Sequence, residues 1–89
     1  MSAEYITQAI SQTVAQIVED SIASQYAEAL ISVEGANVRM RYDGGDPAAG
    51  IGHLIFQNGS AIVSGGDSIR KLRLYCPSGT ATVHVTVKR

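Results

Sequence analysis

The chain has 89 residues, seven Lys or Arg against eight Asp or Glu, and one cysteine. This length predicts a single domain over residues 1–89, and the balanced charge argues against a nucleic-acid-binding protein, which would carry a basic excess. The composition also excludes an intrachain disulfide, and no apolar run approaches the ~18 residues of a membrane span.

The first 34 residues contain neither glycine nor proline, which favours one or two uninterrupted elements. Two interpretations remain open here. Apolar residues recur at spacings of three and four over residues 4–30, and this periodicity alone predicts a long amphipathic helix. The same stretch is rich in Ile, Val and Thr, whose β-branched side chains favour strands. Alternate residues of 10–17 would then share one strand face, and Asp20-Ser21 offers an N-cap for a short helix over about residues 21–27.

From residue 29 onward, short apolar segments alternate with turn residues. Residues 29–34 predict a strand that ends at Gly35, and residues 38–42 predict another strand with its two arginines on the outward face. Residues 43–47 predict a turn, because Asp-Gly suits positive φ and proline cannot continue a ladder.

The middle of the chain predicts three more strands. Residues 54–56 form a short apolar run, and Asn58-Gly59 predicts a two-residue hairpin that joins it to a returning strand at 61–63. A glycine-rich turn at 64–67 ends that strand. Alternation over residues 72–76 then predicts a further strand.

The C-terminal segment, residues 81–87, has the clearest pattern. Its valines alternate with polar residues, so the valines face inward and His84 lies on the surface. Turn signals recur about every 8–12 residues, as in sandwiches and small barrels. The sequence therefore predicts a mainly β protein, a small antiparallel β-sandwich or jelly-roll-like domain of about six to eight strands. Its predicted inner faces comprise Ile31, Val33, Val38, Met40, Tyr42, Leu54, Phe56, Ile62, Leu72, Leu74, Val83, Val85 and Val87.

No pattern in the sequence predicts catalysis or metal binding. Asp43, Asp46 and Asp67 could offer oxygens to calcium, but their spacing matches no EF-hand loop. Residues 50–53 lack the third glycine of a dinucleotide site, and no serine lies in a nucleophile elbow. We therefore expect no enzymatic activity, no catalytic residue, no cofactor and no metal site, and we expect Cys76 to be a small buried residue.

Oligomerisation is the expected source of added stability. Small domains usually depend on disulfides, metals or partner subunits, and neither a disulfide nor a metal-ligand spacing is present. The first five residues also lack the basic start and apolar core of a secretion signal. We therefore expect a soluble, homo-oligomeric protein that is made in the cytoplasm.

Four segments of this chain carry a family resemblance: residues 29–47, 52–55, 68–74 and 81–85. In the same order, they resemble parts of small virion structural proteins of tailed bacteriophages. In that family a strand of the ALITVEG kind leads to an IRYRxDGTxPT strand and turn, then to GHLL, DxIxxFRAI and a final ATLHVTY. The resemblance covers about residues 29–87, with departures at 48–49 and at Leu72.

This resemblance implies a β-sandwich whose core strands lie in residues 29–89. The family opens with a strand, so residues 1–28 would form an N-terminal strand, short helix or arm, with residues 10–17 paired into the sheet. It also implies a non-enzymatic decoration or cement protein on the virion's capsid surface, which binds the major capsid protein and bridges neighbouring subunits.

A homotrimer would suit the local threefold points of a capsid, since several modest contacts give avidity. No nucleic-acid or membrane partner is expected. The alternatives are a head–tail connector or tail component and, from another class, a carbohydrate-binding accessory module, whose YTxDGSxPT strand and turn this chain also resembles. The candidate contacts for capsid or partner are Tyr5, Arg39, Arg41, Arg70 and Arg73.

Overall fold

The computed structural model describes residues 3–18, 23 and 25–89. These residues form seven strands and a short helix. The strands are β1 (Ala3–Ile10), β2 (Glu28–Glu34), β3 (Val38–Arg41), β4 (His53–Ile55), β5 (Ser60–Ser64), β6 (Arg73–Tyr75) and β7 (Ala81–Lys88), and the helix is α1 (Gly66–Lys71).

The strands form two antiparallel sheets. The four-stranded sheet has the order β1-β7-β2-β5, and the three-stranded sheet has the order β4-β3-β6. In the larger sheet Val85 pairs with Ile6 on one side and with Ile31 on the other. This architecture confirms the predicted small antiparallel β-sandwich.

An aliphatic core fills the space between the sheets. Val83, Val85 and Val87 of β7 are fully buried, because alternation directs every second side chain of a strand to the same face. Cys76 is also fully buried, as expected. Each fully buried Val or Leu side chain stabilises the fold by ~1.5–3 kcal/mol before entropic costs. Among the described residues, no polar or charged residue is buried.

The N-terminal segment forms a strand rather than the long helix that periodicity predicts. β1 pairs with β7 along its entire length, from Ala3 opposite Lys88 to Ile10 opposite Ala81. Ala15 then exchanges two backbone hydrogen bonds of 2.9 Å with Leu74. The long-helix prediction is therefore wrong for residues 4–18, because pairing to a long neighbouring strand outweighs a helical spacing of apolar residues. For the short helix predicted over about residues 21–27, positions 21, 22 and 24 lie outside the described residues. Residue 23 is helical and residues 25–27 are not.

The predicted hairpin at Asn58-Gly59 is wrong in its partner strands. β4 pairs with β3, whereas β5 pairs with β2, so the turn carries the chain from one sheet to the other. Asn58 has the positive φ of 69° that the sequence signal implies. Its N–H donates to the carbonyl of Val33 at 2.7 Å. The turn chemistry is correct, but it does not determine which strands pair.

Four residues predicted to face inward are exposed instead: Tyr42, Leu54, Phe56 and Ile62. In the apolar runs that contain the last three, Ile55 and Val63 fill the core. A shift of one residue turns every side chain of a strand to the other face, and short runs that are apolar throughout do not indicate which alternate residues point inward. Tyr42 lies just beyond the end of β3.

Helix α1 was not predicted, since six residues are too few to show helical periodicity. It occupies part of the predicted turn at 64–67 and continues to Lys71. Ile69 reaches the core from this helix. On the exposed side, Asp67 pairs with Arg70 at 2.7 Å and with Lys71 at 3.0 Å, the i,i+3 and i,i+4 pairing that stabilises a helix surface.

Candidate binding surfaces

The outer face of the four-stranded sheet carries a row of exposed apolar side chains. Strand register places Tyr5 opposite Thr86, Thr86 opposite Leu30, and Leu30 opposite Ile62. Tyr5, Leu30 and Ile62 are 62%, 47% and 62% exposed. We call Tyr5, Thr86, Leu30 and Ile62 together the apolar row. Large apolar side chains that lie together on a surface are typical of interaction sites, whereas single exposed ones need no explanation.

A charged pair and a shallow depression lie beside the apolar row. Lys88 Nζ lies 3.3 Å from Glu28 Oε1, and both side chains are partly exposed. The depression has a volume of about 270 Å³ and is bordered by this pair together with Leu30, Ile62 and Thr86. The face therefore combines an exposed aromatic residue, Tyr5, with a depression that begins at Thr86 on the neighbouring strand.

A hydrogen-bonded chain on the other side of the row holds Tyr5 in place. The hydroxyl of Tyr5 is hydrogen-bonded to His84 Nδ1, and the two rings stack with centroids 5.8 Å apart. His84 Nε2 in turn lies 2.9 Å from Glu34 Oε1. His84 thus lies on the outward face, as predicted. The chain restricts the rotamers of Tyr5, which lowers the entropy that Tyr5 would lose on binding a partner.

The outer face of the three-stranded sheet is basic. Arg39 lies between Leu54 and Tyr75, and Arg41 lies opposite Arg73 in the adjacent row. Arg73 Nη1 donates to the backbone carbonyl of Arg70 at 3.0 Å. This arrangement places three arginines on one face of a small sheet.

Arg41 is neutralised by its neighbour Asp43. Its Nη2 lies 2.7 Å from Asp43 Oδ2, and its Nε donates to Oδ1 at 3.0 Å. The guanidinium, helped by the backbone N–H of Gly45, lowers the pKa of Asp43 from 3.8 to about 2. These residues border a cavity of about 390 Å³ with Tyr42, Gly52 and His53. Because the charges in it are already paired, this cavity offers little attraction to an ion.

Arg39 borders a second cavity, where no carboxylate of the described residues neutralises its charge. This cavity has a volume of about 320 Å³. Arg39 Nη1 donates to the carbonyl of Gly52 at 3.0 Å, while its buried Nε has no hydrogen-bond partner among the residues that the structure describes. The cavity is lined by Asn37, Arg39, Ala49, Leu54, Pro77 and Ser78.

The structure brings together only some of the predicted contact residues. Arg39, Arg41 and Arg73 share the outer face of the three-stranded sheet, and Arg70 lies on α1. Tyr5 lies on the other sheet, beside residues that the sequence analysis did not select. Leu30 could have been found, because placing Ile31 and Val33 inward leaves it as an apolar residue on the outward face. Ile62 could not, since it was assigned to the core.

The described residues contain no group of three or more His, Cys, Asp or Glu side chains placed to hold a metal ion. No helix within them is both long and apolar enough to span a bilayer.

Comparisons with known proteins identify a fold but no family. No family model matches the chain, and no curated protein matches it. A Cupin_2 domain of an XRE-family transcriptional regulator from Enterobacter cloacae is similar over 98% of this chain and 81% of its own, with a TM-score of 0.62 at 11% identity. EutQ from Clostridium difficile has a TM-score of 0.59 at 7% identity over 97% of this chain, which spans only 56% of EutQ. A protein of Bacillus endospore appendages, which form disulfide-linked pili, has a TM-score of 0.50 at 16% identity over 98% of this chain and 85% of its own.

These similarities overturn the function implied by the phage resemblance. Three solved structures of similar fold are a cupin domain, EutQ and a spore-pilus protein, and none of these three is a phage virion protein. The expectation of a capsid decoration or cement protein, with its connector and carbohydrate-binding alternatives, is therefore wrong. The chain has the fold of a small cupin-like β-sandwich.

Proposed function

We propose that this protein is a non-enzymatic assembly domain that binds a second copy of itself through the outer face of the four-stranded sheet. The observation that carries the proposal is the apolar row. In it Leu30 and Ile62 are neighbours, Thr86 separates them from Tyr5, and the three apolar side chains are about half or more exposed. Burying this row would remove apolar surface from water, which is the main favourable term in protein association.

The strand order makes this face suitable for pairing with itself. A two-fold axis that runs parallel to the strands between β7 and β2 exchanges β7 with β2 and β1 with β5. Such an axis sets Tyr5 of one copy against Ile62 of the other, and Thr86 against Leu30. Each contact then occurs twice, as two-fold interfaces require, and the sheets pack in the aligned arrangement common to β-sandwiches.

The charges on the face favour a second copy as the partner. Lys88 lies on β7 and Glu28 on β2, directly opposite each other in the register. The same two-fold axis therefore sets Lys88 of each copy against Glu28 of the other, giving two pairs of opposite charge. It also brings Tyr5 towards the 270 Å³ depression, which Ile62 borders. An aromatic side chain that enters a hollow is typical of the strongest contacts in an interface.

The fold is compatible with assembly. A protein of similar fold from Bacillus endospore appendages forms disulfide-linked pili, so a sandwich of this kind can act as a repeating subunit. Cys76 is fully buried in this chain, and it is the single cysteine. The proposed assembly therefore depends on noncovalent contacts of the sheet face.

The proposal is tested by measuring molar mass over a range of concentrations, by light scattering and by sedimentation equilibrium. We expect a concentration-dependent dimer for the native chain and a monomer for Ile62→Lys. Phe56→Lys is the matched control, because Phe56 is 65% exposed against 62% for Ile62 but lies outside the apolar row; it should remain dimeric. Circular dichroism of both variants is the check that each of them folds.

Two results would overturn the proposal. A native chain that stays monomeric at millimolar concentration would show that the face does not self-associate. A homotrimer would agree with the oligomer expected from the sequence and would rule out the two-fold interface.

A further inference from the structure

We infer that the 320 Å³ cavity beside Arg39 is a binding site for a small aliphatic carboxylate. Arg39 lies on β3, the central strand of its sheet, and its side chain borders the cavity. The volume falls within the range of about 300–1,000 Å³ that is usual for small-molecule sites.

The first argument is the incomplete hydrogen bonding of Arg39. Its Nη1 is held by the carbonyl of Gly52 at 3.0 Å, but its buried Nε has no acceptor in the described part of the chain. Arg41 and Arg70 each pair with an aspartate, whereas no carboxylate among the described residues pairs with Arg39. A buried donor without an acceptor is costly and rare in folded proteins. An entering anion would supply the missing acceptor.

The second argument is the shape of the unused part of the guanidinium. With Nη1 engaged, the Nε and Nη2 groups remain, and they present two nearly parallel N–H bonds. This fork matches the two oxygens of a carboxylate, which can accept both bonds together. The bond from Nη1 to Gly52 fixes the plane of the group. Because Nε has almost no exposed surface, the side chains that cover it must move aside when a ligand binds.

The third argument is the composition of the cavity wall. Leu54, Pro77 and Ala49 provide an apolar lining, while Ser78 adds a hydroxyl. Asn37 accepts the backbone N–H of Gln57 at Oδ1, 2.7 Å away, which leaves its amide group as a donor. A mostly apolar wall with a few polar groups suits a ligand with one charged end and a short hydrocarbon body.

The site and the proposed assembly surface lie on different sheets, so each can fail without the other. The apolar row belongs to the four-stranded sheet, and Arg39 belongs to the three-stranded sheet. Carboxylate binding therefore extends beyond the proposed function and is measured independently of oligomeric state.

The test is a nuclear magnetic resonance titration of the isotope-labelled full chain with butyrate, with butyramide as the matched neutral probe. We expect butyrate to shift the resonances of residues that line the cavity and butyramide to shift none of them. Arg39→Lys keeps the charge but loses the fork, so we expect its affinity to fall by about tenfold or more. Arg73→Lys, on the same face but outside the cavity lining, should bind as the native chain does.

The inference is overturned if butyrate causes no localised shifts, or if butyramide binds as well as butyrate. It is also overturned if Arg39→Lys and Arg73→Lys bind equally, since the fork would then have no role. Inorganic phosphate serves as a second anion, and phosphate binding without butyrate binding would refute a carboxylate site. The comparison of butyrate with butyramide needs no variant, so the test remains decisive even if Arg39→Lys does not fold.

Discussion

Reversing the charge of Lys88 tests the orientation of the proposed interface. Within one copy, Lys88 Nζ lies 3.3 Å from Glu28 Oε1, and the two-fold axis sets it against Glu28 of the second copy as well. An exposed ion pair across an interface stabilises the complex by about 0.5 kcal/mol. Reversing one charge replaces this attraction by a repulsion of similar size, so each contact loses about 1 kcal/mol. Because the axis repeats the contact, Lys88→Glu should weaken the dimer by ~2 kcal/mol, or about thirtyfold in Kd.

Sedimentation equilibrium of the charge variants measures this effect. The double variant Glu28→Lys/Lys88→Glu restores both pairs and should recover most of the native affinity. Lys71→Glu is the matched control, since it makes the same change in net charge on α1, where Lys71 pairs with Asp67. The difference between variants should shrink at high salt, which screens exposed charges. A double variant that binds no better than Lys88→Glu alone would refute the two-fold arrangement.

Two further predictions concern the fold itself. Leu74 is fully buried, so Leu74→Ala should lower the free energy of unfolding by about 2–5 kcal/mol. Leu54→Ala, at an exposed position, should lower it by less than ~1 kcal/mol. Urea denaturation measures both values, and equal losses would contradict this assignment of core and surface. Arg41 lowers the pKa of Asp43 to about 2, from 3.8, so the pair's contribution to stability is complete above pH 3.8 and disappears as the pH falls through about 2. Arg41→Gln should return the pKa of Asp43 towards its usual value in a carboxyl titration, and an unchanged titration curve would show that the ion pair is not responsible.

The function expected from the phage resemblance is wrong because the motifs that carry the resemblance describe local geometry. The segment around Asp43 combines a strand with an Asp-Gly turn, and the structure does place Gly44 at φ 98°. Such strand-and-turn patterns recur in unrelated β proteins, and a fold does not determine the site used. The motifs therefore helped to predict the sandwich but carried no information on what its surfaces bind.

The candidate sites were predictable only in part. Arg39 was selected from the sequence because it lies on a strand face that carries arginines, and Tyr5 because it lies in the N-terminal residues 1–10. The sequence could not show that Arg39 borders a cavity without a carboxylate partner, since Leu54 comes from another strand and Ser78 from a loop after β6. Likewise, Ile62 joins the apolar row only because β5 pairs with β2 rather than with β4.

The sequence by itself determined the properties that depend on residues close together in the chain. Alternating valines established β7 as a strand with one buried face, and Asn58 established a turn with positive φ. The tertiary structure decided which strands became neighbours, and therefore whether the first residues formed a helix or paired with β7. It also decided that Ile55 and Val63, rather than their apolar neighbours in the chain, faced the core. The physical reason is that strand pairing and sheet packing join residues far apart in the chain, and their energies exceed local preferences of a few tenths of a kcal/mol per residue.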